Sequence, residues 1–396
     1  IKVKKMKSTK NIFKNSKIRV PFFIPNITDD DKKLVSQTLD SGLLTNGPNL
    51  SKFEYSFSKY TKSNYSVGVS SATAALHLSL KALGIGKDDQ VIVPDLTFVA
   101  TANAVLMTGA IPVMADVNLD DFNINIDSIK KNITKKTRAI IPVHFAGNPC
   151  NMNKIMEIAK KNNLYVVEDC AHALGSFYKN KHVGTFGHIG CFSFYPTKNI
   201  TTLEGGMVIS KSKEISNYIT SSRNHGITKT LQERYAKGYP WDYDISEAGY
   251  NYRMDEIRAV LGIKQLNRIK KINQNRRNAV KYYNEKLLDI EGIEPQNILN
   301  IDENSCHLYI VKINNEKFGM DRNSVFKKLL KRGIQTSVHY KPLHKFSIFK
   351  NIRTHDNLKN SNLLYDQILS LPLYTSISTK EQKIVIKELE IIKNEK

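Results

Sequence analysis

Between residues 72 and 210 the chain repeats one theme, a short apolar, β-branched run followed by a longer stretch with helical spacing. Gln90–Pro94, Ile111–Ala115, Ala139–Val143 and Leu164–Glu168 are almost continuously apolar rather than alternating. That is the pattern of strands buried on both faces. Helical stretches such as Ala100–Thr108 and Asn153–Lys161 intervene, and two more runs follow at Cys191–Phe194 and Met207–Ser210. Strands joined by crossovers of this length pair parallel, and helices then cover both faces. The spacing predicts an α/β fold built on a large, mostly parallel sheet.

The flanks extend this frame. Thr28 to about Ser41 reads as a helix, with Thr28 as N-cap, acids in the first turn and Gly42 as its stop. Asn46-Gly47-Pro48 reads as a loop, and a second helix is expected from Ala72 to about Gly84. After Leu261 the alternation fades. A long charged helix is expected over Ile263–Leu288, then a strand at His307–Ile313, a helix at Arg322–Arg332, a strand at Gln335–His339 and a terminal helix at Lys380–Lys393. The expected organisation is a basic N-terminal extension (residues 1–20), a large domain (21–262) and a smaller C-terminal α+β domain (263–396).

Composition narrows the function. A 396-residue chain that is 41% hydrophobic and 24% charged has ample material for a core. No apolar run reaches the roughly 20 residues that span a bilayer, and the basic N-terminus lacks the apolar stretch and cleavage site of a signal peptide. A cytoplasmic protein without membrane contact is expected. Cys150, Cys170, Cys191 and Cys306 show no metal-ligand or disulfide spacing, so they read as small buried hydrophobes and no metal is expected. The net charge of +22 would suit nucleic-acid binding. The lysines are dispersed, however, and no helix-turn-helix, zinc-finger or RNP pattern appears, so a lysine-rich bias over solvated faces is the better reading.

Four places carry chemistry. The strand ending in Val166-Val167-Glu168-Asp169 puts carboxylates at its carboxyl edge, where open α/β sheets bind ligands; alone, Asp169 is as well explained as a helix cap. Lys198 stands in the turn Ser193-Phe194-Tyr195-Pro196-Thr197-Lys198-Asn199 between two apolar strands. A lysine held there suits a Schiff-base nucleophile, although with 59 basic residues any single lysine is more simply a surface group. Ser70-Ser71-Ala72-Thr73 opens a helix, and its free amides suit a phosphate as well as ordinary capping. Phe98, just past another strand, suits core packing or stacking on a flat ring.

Taken in order and spacing, these pieces resemble the DegT-type sugar-nucleotide aminotransferases, which share the aspartate-aminotransferase fold (fold type I). The likeness runs from about Val20 to Pro372. It rests on Ile24-Pro25, Ser41-Gly42, Thr45-Asn46-Gly47-Pro48, Ser71-Ala72-Thr73, Val167-Glu168-Asp169-Cys170-Ala171-His172-Ala173 and Ser193 to Gly206. It continues through Arg223-Asn224-His225-Gly226, Gly249-Tyr250-Asn251-Tyr252-Arg253-Met254 and Val338-His339-Tyr340. The resemblance implies pyridoxal 5'-phosphate, carried covalently by Lys198, with Asp169 on the pyridinium nitrogen. It implies His172 beside the ring hydroxyl, Phe98 stacked on the ring, and Ala72, Thr73 and Ser193 around the phosphate. Asn251 matches a phosphate contact delivered by a neighbouring subunit, so a homodimer with active sites at the interface is implied. His339, Tyr340 and Lys341 fall on the substrate side, with Arg253 loosely among them. Tyr195 departs from the family, where many members have histidine. A dehydratase branch has histidine in place of the aldimine-forming lysine, and Lys198 sets this chain apart from it.

The implied reaction is amination of a nucleotide-linked keto-sugar with L-glutamate as donor. Pro25, Ile27 and Asp31, with Gly42, Leu44, Thr45, Gly47 and Pro48, resemble members that aminate C4 of a UDP-, dTDP- or GDP-linked 4-keto-6-deoxyhexose more than those that aminate C3. The product would enter amino-sugar and surface-glycan (lipopolysaccharide) biosynthesis.

Overall fold

The structure is a computed structural model that describes residues 18–395 except 46, 230, 237, 246 and 353. Most of the basic N-terminal extension, and Asn46, thus lie outside the described residues.

Its centre is a seven-stranded sheet in the order β1-β9-β8-β5-β4-β2-β3. The strands are β1 (Tyr65–Val69), β2 (Gln90–Pro94), β3 (Ile111–Ala115), β4 (Thr137–Ile140), β5 (Tyr165–Asp169), β8 (Ile189–Ser193) and β9 (Gly206–Ser210). The short ribbon β6 (Phe177–Tyr178) and β7 (Lys181–His182) stands apart. Only β9 runs against the rest: it is antiparallel to both β1 and β8, while β8 is parallel to β5. Six strands therefore share one carboxyl edge.

The period of two along each strand sorts side chains onto two faces. Val91, Val93, Val167, Cys191 and Val208 pack with α3 (Ala72–Ala82), α4 (Ala100–Met107) and Ile219 of α7 (Lys213–Ser222). Ile92, Val113, Ile140 and Val166 face the other way, onto α5 (Ile126–Asn132) and α6 (Met152–Lys161). Phe192, Met207 and Ile209 do the same against α2 (Pro48–Thr61) and α9 (Glu256–Leu287). The result is the three-layer α/β/α arrangement expected from the sequence. α1 (Asp29–Asp40) packs on α9, capped by Thr28 and Asp31 in a capping box. The short α8 (Leu231–Ala236) follows α7.

The 32-residue helix α9 continues across position 262, where the sequence suggested a division, and its far half enters a second core. There Val280, Tyr283 and Leu287 pack with β11 (Tyr309–Ile313), β12 (Ile368–Leu371), α11 (Arg322–Lys331) and α13 (Thr379–Asn394). β10 (Ile293–Pro295) completes an antiparallel sheet β10-β11-β12, and α10 (Asn315–Phe318) and α12 (Lys359–Gln367) lie between its strands in sequence. Glycine at 262 has a packing reason. A Cβ there would stand 2.4 Å from the Phe53 ring of α2, so the bare backbone lets the helices close, against a helix-propensity cost of about 1 kcal/mol.

Several elements were not anticipated, among them α2 and β1. The Asn-Gly-Pro signal at 46–48 reads as a loop, yet Pro48 occupies the first turn of α2, where its missing N–H costs nothing. Conversely, Gln335–His339 is not a strand: within it only Ser337 pairs, by an isolated bridge to Ser370.

Candidate active site

A cavity of about 460 Å³ opens at the common carboxyl edge. Its walls come from the ends of β1, β2, β5 and β8 and from the segment that carries His339 and Tyr340. Of the residues singled out in the sequence, Ala72, Thr73, Phe98, Asp169, His172, Ser193, Lys198, His339 and Tyr340 all line it. Asn251, Arg253 and Lys341 do not. Asn251 is exposed and bridges to Asn224, the Arg253 guanidinium donates to Asn224 Oδ1 at 2.6 Å, and the Lys341 ammonium sits 4.6 Å from the centre of the Phe346 ring.

Lys198 owes its position to a hydrogen-bonded loop between β8 and β9. Lys198 N–H donates to Tyr195 O, Thr202 N–H to Phe194 O, and Phe194 N–H to Gly205 O. The neighbouring Asn199 amide ties the same loop to Asn273 of α9 and to the Ser305 carbonyl. Burial pushes the Lys198 amine down to about 8, against the pull of the Asp169 charge. At neutral pH a useful fraction is therefore an unprotonated nucleophile.

Asp169 ends β5 fully buried. Burial raises its carboxyl above the usual range, and the Ala171 N–H and the Thr101 hydroxyl work against that. Each oxygen holds one protein donor: Oδ1 accepts from Ala171 N–H at 3.0 Å and Oδ2 from Thr101 at 2.9 Å. One lone pair per oxygen remains for a cationic ligand atom. Thr101, with Thr97 behind it at 3.1 Å, was not legible in the sequence, where both read as ordinary loop and helix residues.

His172 is kept neutral, well below the ordinary imidazole range, by burial and by the nearby Lys198 and His339. Ala146 N–H donates to its Nδ1 at 3.2 Å. The ring proton therefore sits on Nε2, which lies 3.0 Å from the Tyr340 hydroxyl oxygen. The N-terminus of α3 supplies the opposite end of the cavity. Ser71 caps it by accepting from Ala74 N–H, and the first amides, at Ala72 and Thr73, have no intrahelical acceptor.

Glu168, adjacent to Asp169, faces away into the core. It accepts from the amides of Gly184, Phe186 and Gly187 and pairs with His144 at 3.1 Å. With Cys170 these two could be read as a metal-ligand triad, all buried. The carboxylate is already committed to those partners, and His144 Nδ1 accepts from Cys150 N–H.

A depressed lysine, a buried carboxylate with spare lone pairs and a free helix N-terminus around one cavity suit a phosphorylated, ring-nitrogen cofactor with a carbonyl to condense with the amine. Together with the parallel-sheet frame, they define a fold type I pyridoxal-phosphate enzyme. Residues 25–390 match the DegT/DnrJ/EryC1/StrS aminotransferase family, and the chain belongs to that family. It is a pyridoxal-phosphate-dependent sugar aminotransferase. Relatives include an uncharacterized protein of Methanocaldococcus jannaschii, 39% identical over 378 residues (95% of this chain, 98% of that one). The spore coat polysaccharide biosynthesis protein SpsC of Bacillus subtilis is 35% identical over 370 residues (93% and 95%). Among solved structures, the putative sugar aminotransferase Spr1654 of Streptococcus pneumoniae in its PLP form superposes with a TM-score of 0.86 at 32% identity, covering 94% of this chain and 98% of that one. PseC of Helicobacter pylori, an aminotransferase involved in pseudoaminic acid biosynthesis, gives 0.87 at 30% identity, covering 94% and 98%. Among the described residues no helix is long and apolar enough to cross a membrane.

Proposed function

We propose that this aminotransferase moves an amino group from L-glutamate to C4 of a UDP-, dTDP- or GDP-linked 4-keto-6-deoxyhexose, for amino-sugar and surface-glycan synthesis. Lys198 carries the cofactor in this reading. The observation that supports it is the buried pairing of charge types: an amine pushed down to about 8 in the same cavity as the carboxylate of Asp169. Pyridoxal phosphate, when bound, supplies a carbonyl that exchanges amines and a ring that accepts electrons.

The chain's own groups do the rest. Lys198 Nζ, once displaced by the donor amine, takes a proton from the donor carbon as a neutral base and returns it one position away. In the sugar half of the cycle it runs the same transfer backwards. Asp169 stays ionised and keeps a positive ring nitrogen in place. Ala72, Thr73 and Ser193 hold the phosphate, Phe98 lies against the ring, and His172 meets the ring hydroxyl. His339 and Tyr340 meet the sugar nucleotide, Lys341 meets its diphosphate, and Arg253 is grouped with them on the substrate side. The C4 assignment rests on the likeness of the Pro25–Asp31 and Gly42–Pro48 segments to C4-aminating members. SpsC and PseC, the relatives named for polysaccharide and pseudoaminic acid synthesis, support the glycan setting.

The enzyme acts as a homodimer in this reading. Asn251 is exposed and outside its own chain's cavity, as expected of a residue that serves a neighbour's phosphate. Tyr235, Tyr239 and Trp241, each more than 60% exposed, crowd the segment just before it, and such apolar patches mark interfaces. Light scattering of the purified protein tests the dimer.

The test of function is an absorbance spectrum with pyridoxal phosphate, wild type beside Lys198→Ala. The expected result is a visible band that L-glutamate bleaches in wild type and that Lys198→Ala does not reproduce. Nucleotide keto-sugars are then screened for return of the band, and NMR of the product places the amine. A band insensitive to the lysine substitution would sink the Lys198 assignment, and an amine at C3 would replace the C4 reading.

A further inference from the structure

Asp95 stands one residue past β2 with no exposed surface, and Thr97 and Phe98 of the cavity wall follow within three residues. From the other side, His339 and Tyr340 lead into a short 3-10 turn, Leu343–Lys345. The two segments meet at Asp95. Its carbonyl accepts Leu343 N–H at 2.8 Å, its Oδ1 accepts His344 N–H at 3.0 Å, and its Oδ2 lies 2.7 Å from His344 Nδ1. Its own N–H donates to the Ala115 carbonyl at 2.8 Å, which ties it back to the sheet. A carboxylate with no solvent must find its compensation in the protein, and here the side-chain oxygens find it in His344.

We propose that Asp95 and His344 are a positioning pair, which holds the Tyr340 wall of the cofactor cavity against the Phe98 wall and holds it tightest when His344 is protonated. The proposal rests on the reading of this cavity as the pyridoxal-phosphate site. The Tyr340 and Phe98 rings lie 5.7 Å apart, and Tyr340 also meets His172. The register of residues 339–345 against β2 therefore sets two cofactor-facing contacts at once. The buried Leu343 side chain fastens the turn to the core beneath α3 and α4, but an apolar contact does not fix register to a fraction of an ångström. The bidentate grip on Asp95 does.

The 2.7 Å separation is that of a charge-assisted bond. The groups facing His344 are Asp95 from the end of β2, Asn362 from α12 and Lys345 in its own turn. The bond to Asp95 raises the imidazole above its ordinary value, with burial and then Lys345 opposing. A histidine raised in this way contributes most while protonated, and its contribution fades as pH rises through the raised value. A neutral hydrogen bond remains above it.

The experiment measures the dissociation constant of pyridoxal phosphate between pH 6 and 9.5 for wild type, Asp95→Asn and His344→Ala. Asparagine keeps a neutral hydrogen bond to the imidazole and discards the charge. Lys198 and Asp169 titrate in every variant, so the ratio of Asp95→Asn to wild type isolates the pair. The expected ratio is about tenfold at the acidic end and falls toward one at the alkaline end, while His344→Ala binds weakly throughout. A ratio near one at all pH values, or one that does not change with pH, overturns the proposal. So does a His344→Ala protein with a lower Tm but wild-type cofactor affinity, which would make the pair structural only. Failure of wild type to bind the cofactor through Lys198 would remove the cavity reading and the pair's role together, whereas a flat ratio in a wild type that does bind removes the pair alone.

Discussion

Thr101 donates its hydroxyl proton to Oδ2 of Asp169 across 2.9 Å, from the first turn of α4 to the end of β5. A carboxylate that must stay charged without solvent depends on such donors, and this one and the Ala171 amide are the two that hold Asp169 in this chain.

Thr101→Val keeps the shape and removes the donor. A hydrogen bond to a charged group is worth about 1.5–3 kcal/mol, so pyridoxal-phosphate affinity should fall roughly tenfold or more. Since burial already raises the Asp169 carboxyl, losing a donor raises it further. The defect should therefore widen as pH falls and more of the population becomes protonated. Thr101→Ser should restore binding. Cofactor titrations at pH 6 and pH 8 check this, and wild-type affinity in Thr101→Val at both would show that the contact is idle.

Lys198 carries a stability cost in the cofactor-free protein. Its amine titrates at about 8 when folded, against an ordinary value of 10.5. Below pH 8 both states are protonated, and the folded state pays the full desolvation penalty for a buried charge. Between about 8 and 10.5 only the unfolded chain binds the proton, so stability rises with pH across that window. Cofactor-free Lys198→Met should be more stable than wild type at pH 7 by up to about 3 kcal/mol, and the gap should close toward pH 10.5. Denaturant melts at pH 7 and pH 10 measure it; a gap that does not move with pH would place its origin elsewhere.

The neighbouring carboxylates Glu168 and Asp169 should behave in opposite ways. Glu168 takes three backbone amides and His144 in the core. Glu168→Ala strands those donors and should cost several kcal/mol, at about 1–3 kcal/mol for each buried donor left unpaired. Asp169→Asn should abolish transamination and leave the Tm of the cofactor-free protein near that of wild type. Paired melts and spectra test the contrast, and a stable Glu168→Ala protein would contradict it.

The same pair shows what a sequence can and cannot disclose. The apolar run before Glu168 announces a buried strand, and its carboxyl end announces a ligand edge. Which of two adjacent acids turns into the cavity is set by strand pairing, since alternate side chains take opposite faces. Lys198 was singled out by its surroundings taken together, since a lysine in that turn is by itself more simply a surface group. Thr101 was not, because its partner is 68 residues away. Nor was the contact of Tyr340 with His172, across 168 residues. Arg253 and Lys341 were singled out by motif, and their contacts with Asn224 and the Phe346 ring depend on tertiary packing that motifs do not encode. Pro48 misled as a loop signal because proline serves a loop and a first helical turn equally well.

Gly206, the first residue of β9, sits directly under the N-terminus of α3. It pairs with Val69 and Ser193 in the sheet, and a Cβ on it would lie 2.5 Å from the Ser71 carbonyl oxygen and 2.8 Å from the Ala72 amide nitrogen. Both are backbone atoms with no rotamer to yield. Gly206→Ala must therefore lift the start of α3, at an overpacking cost of about 1–3 kcal/mol, and shift the amides of Ala72 and Thr73 that face the cavity. If those amides hold the cofactor's phosphate, the damage should be selective: pyridoxal phosphate should bind at least tenfold more weakly, while pyridoxal, which lacks the phosphate, should lose little. The affinity ratio of the two ligands, wild type against Gly206→Ala, reads this directly. An equal loss for both would mean that the substitution disturbs the cavity as a whole, and the phosphate would then have to be sought away from the α3 terminus.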